Sequence, residues 1–407
     1  MPGPLSGMRV LDLSRVLAAP WASQNLADLG AEVIKVERPK VGDDSRAFGP
    51  PWVKDAQGRD SKDSAYFTSA NRGKKSITVD LSKPGGQVLV RALAEKSDVL
   101  LENYKYGDLE RYGLGFSQLH ELNPRLVYCS VTGFGQTGPY KERPGYDFMI
   151  QGMGGMMSVT GEPDGAPGGG PQRAGVPIAD IITGMYASIA VCAALVHRER
   201  SGKGQHLDLA LLDSQIALLA YQNTNYFATG KPPRRIGNLH PNIVPYQPFR
   251  TSDGEVILAC GNDNLFRKFC EAAGRPELAK DERFATNGKR VENRAQITAV
   301  LQDLFLKRTK REWIELLDSA GVPNGPINDV AQVFEEPQVQ ARGVKIELEH
   351  AVAGKLPMVA SPMRFSDTAL EYKLPPPLLG QHTDEVLRGI LGQSDSQIAK
   401  LRADGVI

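Results

Sequence analysis

The chain has 407 residues, with 48 basic against 47 acidic groups and a net charge of +1. That length suits two or three domains with a large core, and the balance of charge argues against a nucleic-acid partner held by bulk charge. A hydrophobic share of 41% is ordinary for a soluble globular protein.

The first 135 residues alternate strand and helix signals. Residues 8–13 (MRVLDL) read as a strand, and Pro20 stands where a helix covering residues 21–29 begins. Gly30 stops that helix, and residues 32–37 (EVIKVE) form a second strand. Further strands are expected at 76–80, 98–102 and 126–131, with a helix at 85–96. Strands separated by helices of this length predict parallel βαβ units, whose ligands lie beyond the carboxyl ends of the strands. Those ends carry Ser14 to Ala18, Arg38-Pro39, Asn103-Tyr104-Lys105 and Thr132 to Gly135.

A glycine- and proline-rich loop at 161–175 leads into a strand-like stretch, 176–179, and then a long apolar helix. Its longest apolar run, 181–196, is short of the roughly 20 residues that a membrane span needs. A strand at 205–210 and another helix follow, then a polar linker at 230–235. Residues from about 245 to 326 read as a smaller α+β unit, with a strand near 255–260 and helices near 264–273 and 294–306. The domains are therefore expected at 1–225, 226–330 and 331–407, the last returning to the first.

Several chemistries are excluded. The turn after the first strand, Arg15 to Pro20, has no glycine, whereas a dinucleotide fold needs glycines there for the approach of the pyrophosphate. No P-loop or GxSxG elbow occurs. The six histidines show no HxH or HExxH spacing, so no metal site is expected. Cys129, Cys192, Cys260 and Cys270 have no CxxC pairing. They fit a reducing, cytoplasmic compartment, and no secretory or transit segment is read before Met8.

What remains is a set of basic loop ends and one carboxylate. Arg38, Asn71-Arg72-Gly73-Lys74-Lys75, Asn103, Lys105 and Arg111 flank strand ends, a pattern that suits a compact polyphosphate, although each alone reads equally as solvated surface. Asp180 is the one side chain charged at neutral pH between Arg173 and His197, at the start of the apolar helix. It is either a helix cap or a working nucleophile or acid–base group, and the two roles can coexist.

These stretches together resemble the class III CoA-transferases, the formyl-CoA transferase/CaiB-BaiF family. The likeness runs through Leu5 to Leu13, Leu29 to Pro39, Asn71 to Ser76, Glu102-Asn103-Tyr104, Gly133 to Pro139, Ala179-Asp180-Ile181, Gly321 to Pro326 and Leu379 to Thr383. It implies an α/β fold: a Rossmann-like large domain built from both chain ends, a smaller α+β domain, and an interlinked, ring-like homodimer. Acyl-CoA and a free acid would be the substrates, with no tightly bound cofactor, no membrane and no nucleic acid. Asp180 falls on the family's catalytic aspartate. Leu17 and Ala18 would lie beside the thioester, and Arg38, Asn71, Arg72, Gly73, Lys74, Asn103, Tyr104, Lys105 and Arg111 would line the CoA site.

Leu17 stands where formyl-CoA transferase has a glutamine, and that enzyme's glycine loop is absent around Ala259 to Asn262, which weighs against formate and oxalate. A related α-methylacyl-CoA racemase is the alternative, but it needs a histidine where Tyr146 stands, and a phenol is a poor base near neutral pH. The stretches Gly42 to Arg46, Ile243 to Gln247 and Phe334 to Val339 are similar to the succinate–hydroxymethylglutarate branch. A small dicarboxylate acceptor would need a partner for its distal carboxylate, for which Arg46, Arg173 and His240 are the candidates.

Overall fold

The computed structural model describes residues 3–407. They divide into two units. The first takes the chain up to Met156, then Ala174–Gly230 and Arg342–Ile407; the second takes Met157–Arg173 and Lys231–Ala341. The glycine-rich stretch before the long helix thus groups with the second unit, a placement that composition alone did not give.

The first unit is organised on one parallel sheet of six strands: β1 (Arg9–Asp12), β2 (Glu32–Glu37), β3 (Lys74–Thr78), β4 (Val99–Glu102), β5 (Val127–Thr132) and β6 (His206–Ala210). Its order is β3-β2-β1-β4-β5-β6, so the winding reverses between β1 and β4. Successive residues of one strand serve opposite faces. Val10 joins a cluster with Val33, Val99 and Val127, whereas Leu11 joins Ile34, Ile77 and Leu100 on the other side.

Helices cover both faces. Helix α1 (Ala18–Asp28) and the 24-residue α4 (Ile178–Ser201) pack on the Val10 side. Helix α2 (Pro84–Glu95) and the C-terminal α5 (Thr383–Leu391) and α6 (Asp395–Ala403) pack on the Leu11 side. Helix α3 (Asp147–Met153) lies against α4. By length and hydropathy alone α4 could cross a membrane. In this fold Ala179, Ala187, Val191 and Ala194 bury one side of it in a core shared with α1. The two helices meet at Gly184, where a Cβ would stand 2.4 Å from the Ala18 carbonyl oxygen. A glycine one turn after Asp180 therefore sets how closely the two helix starts approach.

Some sequence readings are corrected. Residues 176–179 are not a strand: Pro177 is the N-cap and Ile178 the first residue of α4. The β-branched residues that suggested a strand there are too few to form a ladder with a neighbour. Helix α1 begins at Ala18, three residues before Trp21. Pro20 is tolerated inside the first turn because its missing N–H would have no helical partner. The third strand lies at Lys74–Thr78 and not at 76–80.

The second unit has a three-stranded antiparallel sheet, with Glu255–Ala259 between Tyr246–Arg250 and Asn324–Pro326. Helices Asp263–Ala272, Arg294–Phe305 and Lys310–Ser319 supply its core, where Phe249, Phe269, Phe305 and Trp313 stack.

Candidate active site

The switch point between β1 and β4 is where an open α/β sheet offers a crevice. Here it is stitched by Asn103, whose Oδ1 accepts the Arg15 N–H at 2.9 Å while its Nδ2 donates to the Arg15 carbonyl at 2.7 Å. A cleft of about 170 Å³ opens above it. Arg15, Val16, Leu17 and Ala18 form one wall, and Asn103, Tyr104 and Lys105 another. Lys141 to Tyr146 close it, and Asp180 faces into it. The loop after β5 reaches this place because Gly133 and Gly145 touch backbone to backbone; a Cβ on Gly133 would lie 2.6 Å from the Gly145 Cα.

Asp180 is not the cap of its helix. Pro177 holds that position and no side chain caps from there. The capping is done from α3: Asp147 Oδ1 accepts the N–H of Ala179 at 2.8 Å and that of Asp180 at 3.4 Å. Gln151 Nε2 donates to Asp147 Oδ2 at 2.7 Å, and Gln151 Oε1 accepts the Ala174 N–H. The Asp180 side chain is thus released from capping and free for chemistry. Neither Asp147 nor Asp180 has a cation within 4.0 Å among the described residues. Burial pushes the Asp180 carboxyl up to about 7, and the Asp147 carboxylate adds to that. Tyr66 shares the same environment: burial and the charges of Asp180, Asp147 and Asp43 raise its hydroxyl to about 12.

Of the residues singled out in the sequence, the cleft brings Leu17, Ala18, Asn103, Tyr104 and Lys105 together with Asp180. Others are committed elsewhere. Lys74 is fully buried, and its Nζ contacts Asp12, the Pro20 carbonyl and Asn71 Oδ1. Asn71 is equally buried and donates to the Phe67 carbonyl. Arg72 forks onto Asp28 and donates to the Val359 carbonyl. Gly73 N–H bonds the Leu374 carbonyl. These four therefore brace the end of the sheet and not the cleft.

Arg46 is likewise no free cation: its guanidinium takes both oxygens of Glu37, Asp63 Oδ1 and the Pro377 carbonyl. Arg38 is exposed and pairs with Asp44 at 3.1 Å. Arg111 is exposed and pairs with Asp108. Arg173 and His240 belong to the second unit, where the His240 ring stands against Tyr246. The sequence reading missed Asp147, Tyr66, Lys141 and Arg143. Asp147 follows the glycine of Pro144-Gly145-Tyr146-Asp147, and a second carboxylate so near a close backbone contact was the signal available.

A carboxylate with no cation against it, in a switch-point cleft lined by Arg15, Lys105, Lys141 and Arg143 as well as Asp44 and Glu142, suits acyl transfer from an anionic thioester. The description "CoA-transferase family III" matches residues 5–383, and the chain belongs to that family. A succinate–glutarate CoA-transferase of Agrobacterium fabrum is 51% identical over 384 residues, covering 94% of this chain and 95% of that one. The human succinyl-CoA:glutarate CoA-transferase is 42% identical, covering 99% of this chain and 90% of its own length. A CAIB/BAIF family protein from Brucella suis superposes with a TM-score of 0.83 at 51% identity, covering 96% of this chain and 100% of that one. The protein is thus a family III CoA-transferase, and its α/β architecture with a parallel central sheet is that of the CaiB/BaiF proteins.

Proposed function

We propose that this enzyme moves CoA from succinyl-CoA to a small dicarboxylic acid, with Asp180 as covalent nucleophile. The observation that carries the proposal is the Asp180 carboxylate, unpaired, raised to about 7 and open to a cleft rimmed by cations. A carboxylate of that basicity is a better nucleophile than an ordinary one and is still substantially ionised at neutral pH. Its oxygen attacks the thioester carbonyl, the C–S bond breaks and CoA thiolate leaves, giving an aspartyl–acyl anhydride. The thiolate attacks the aspartyl carbonyl carbon, which releases the donor acid and leaves an aspartyl-CoA thioester. The acceptor carboxylate attacks that thioester and expels the thiolate again. Thiolate attack on the acceptor's own carbonyl carbon then yields the new acyl-CoA and frees Asp180.

The dicarboxylate preference rests on the succinate–glutarate names of two relatives that are 51% and 42% identical to this chain. Arg15, Lys105, Lys141 and Arg143 are the cations that line the cleft, and they have to serve both the CoA phosphates and a distal carboxylate. A methyl group arriving in place of that carboxylate strands its partner, at about 1–3 kcal/mol. Succinate should therefore exceed butyrate, and glutarate valerate, by roughly ten- to a hundredfold in kcat/KM with one succinyl-CoA donor. Ratios near one in both pairs would remove the dicarboxylate reading and leave the transferase standing. The racemase alternative lacks its second base, since Tyr146 occupies that place.

We further infer a homodimer in a reducing, cytoplasmic setting. Met185, Tyr186, Ile189 and Val196 leave an apolar side of α4 exposed in the single chain, and all four cysteines are free. Light scattering on the purified protein should give twice the chain mass; a monomer at micromolar concentration would refute the dimer.

A further inference from the structure

The wall of the cleft that Asp180 faces contains a residue in an unfavourable conformation. Val16 has φ 69°, in the left-handed region that a β-branched residue seldom enters. Such a conformation persists where the surroundings impose it, and three anchors do so here, of which Lys35 and Asp43 are buried. Lys35 Nζ donates to the Ser14 carbonyl at 2.8 Å, Asn103 brackets Arg15, and Asp43 Oδ1 accepts the Val16 N–H at 3.0 Å.

Asp43 is itself fixed from several sides. Its Oδ1 takes the N–H and the hydroxyl of Ser45, its backbone N–H donates to Glu37, and its Oδ2 lies 2.8 Å from Lys35 Nζ, with both side chains fully buried. Lys35 thus holds both Ser14 and the carboxylate that pins Val16. Directly after Val16 come Leu17 and Ala18, at the start of α1. Leu17 is the N-cap and has no side-chain cap. The N–H groups of Leu17 and Ala18 have no acceptor among the described residues. They border the cleft that Asp180 faces. Donors fixed in that way suit the negative oxygen that forms as Asp180 adds to a thioester carbonyl.

We propose that Asp43 is a positioning residue of the transfer reaction: it holds Val16 left-handed and so fixes the Leu17 and Ala18 N–H groups in the cleft that Asp180 also lines. The proposal rests on the transferase reading. It assigns Asp43 no contact with substrate; it acts through the wall it fastens. The alternative is that the Asp43–Lys35 pair contributes to stability alone.

The test uses the full-length protein and two readouts: CoA binding by calorimetry, and the burst of succinate released in the first turnover with succinyl-CoA. Asp43→Asn cannot serve both partners. If its oxygen faces Val16 its amide nitrogen faces the Lys35 ammonium, and if it flips the Val16 N–H loses its acceptor. The expected result is folded protein, CoA affinity within about threefold of wild type, and a succinate burst slowed roughly ten- to a hundredfold, the scale of one unfavourable backbone conformation. Adding Val16→Gly, for which φ 69° is unstrained, should restore the burst at least about fivefold. If Asp43→Asn does not accumulate folded, Asn103→Ala loosens the same wall without stranding a buried charge, and Val16→Gly should rescue it equally.

A burst in folded Asp43→Asn within about twofold of wild type, or a loss that Val16→Gly leaves unchanged, overturns the positioning role while the transferase reading stands. A wild-type enzyme that releases no succinate overturns both.

Discussion

Two groups of carboxylates in the first unit differ in what faces them. Beneath β1 to β3, Asp12, Glu37 and Asp43 are each met by a cation: Lys74, Arg46 and Lys35. At the start of α4, Asp147 and Asp180 face each other and no cation. The electrostatic outcome is opposite. Burial alone would raise the Asp43 carboxyl, but Lys35 and the N–H groups of Ser45 and Val16 outweigh it and hold it down to about 2. At Asp180 nothing offsets burial, and the carboxyl rises to about 7. Paired charge braces a scaffold, whereas charge left unpaired is reactive and costs stability to maintain.

The contrast can be broken most decisively at Asp180. Asp180→Asn should lower transfer by at least about a thousandfold, the scale of losing a covalent nucleophile, with the protein still folded. Hydroxylamine trapping with succinyl-CoA should modify wild-type Asp180 and nothing in the variant. Turnover near wild type in the variant would make Asp180 structural.

On the paired side the largest effect is on folding. Arg46→Ala strands Glu37 and should destabilise by about 3–5 kcal/mol in chemical denaturation, with the KM for CoA and for the acid unchanged in the folded fraction. A selective rise in the acid KM would instead return Arg46 to the substrate.

The two regions should also carry opposite pH signatures. The depressed pKa of Asp43 contributes stability that is present above about pH 4 and is lost as pH falls through about 2. The raised pKa of Asp180 means that the native state holds a proton the unfolded chain releases near pH 4. Stability is therefore lost as pH rises from there through about 7. Asp180→Asn should remove that loss and be more stable than wild type by about 1–3 kcal/mol above pH 7, less than the full shift because the carboxylate opens onto the cleft. The two proteins should unfold alike below pH 4. An Asn variant no more stable at pH 8 would mean that Asp180 is not a destabilising charge.

A smaller effect is expected at Asp147. The succinate burst should rise with pH through a midpoint of about 7. Asp147→Asn should move that midpoint down, but only part of the way, because burial is the larger cause. An unmoved midpoint would show that the carboxylates do not interact. Smallest of all, Arg38→Ala removes an exposed pair with Asp44 and should change stability by less than about 1 kcal/mol.

The sequence was most legible where periodicity or spacing carries the information. Strand β2 and the helices at Pro84–Glu95 and Arg294–Phe305 are set by hydrophobic pattern and by Gly or Pro punctuation, and they lie within a residue or so of expectation. Asp180 stood out because its neighbours are apolar. The basic residues were not legible, because residue type does not disclose a partner. Arg46, Arg72 and Lys74 look like ligand-binding cations in sequence, and each is neutralised by a carboxylate at least nine residues away: Glu37, Asp28 and Asp12. The cap on α4 failed for the same reason: Asp147 supplies it from 32 positions earlier in the chain.

The C-terminal return has a consequence for biosynthesis. Edge strand β3 is finished by the tail: Ser76 accepts the His382 N–H, Ser76 Oγ accepts that of Gly380, and Thr383 Oγ1 takes the Thr78 N–H. The Asp80 N–H closes on the Val406 carbonyl, one residue from the end of the chain. A nascent chain still held in the ribosome at residue 300 would have made Asp180 and every wall of its cleft, yet the sheet beneath would lack that tail. Contacts this distant are slow to close, so the catalytic half of the molecule waits on residues 380–406. Shortening the tail should therefore reduce the yield of active enzyme before it alters the kinetics of the molecules that do mature.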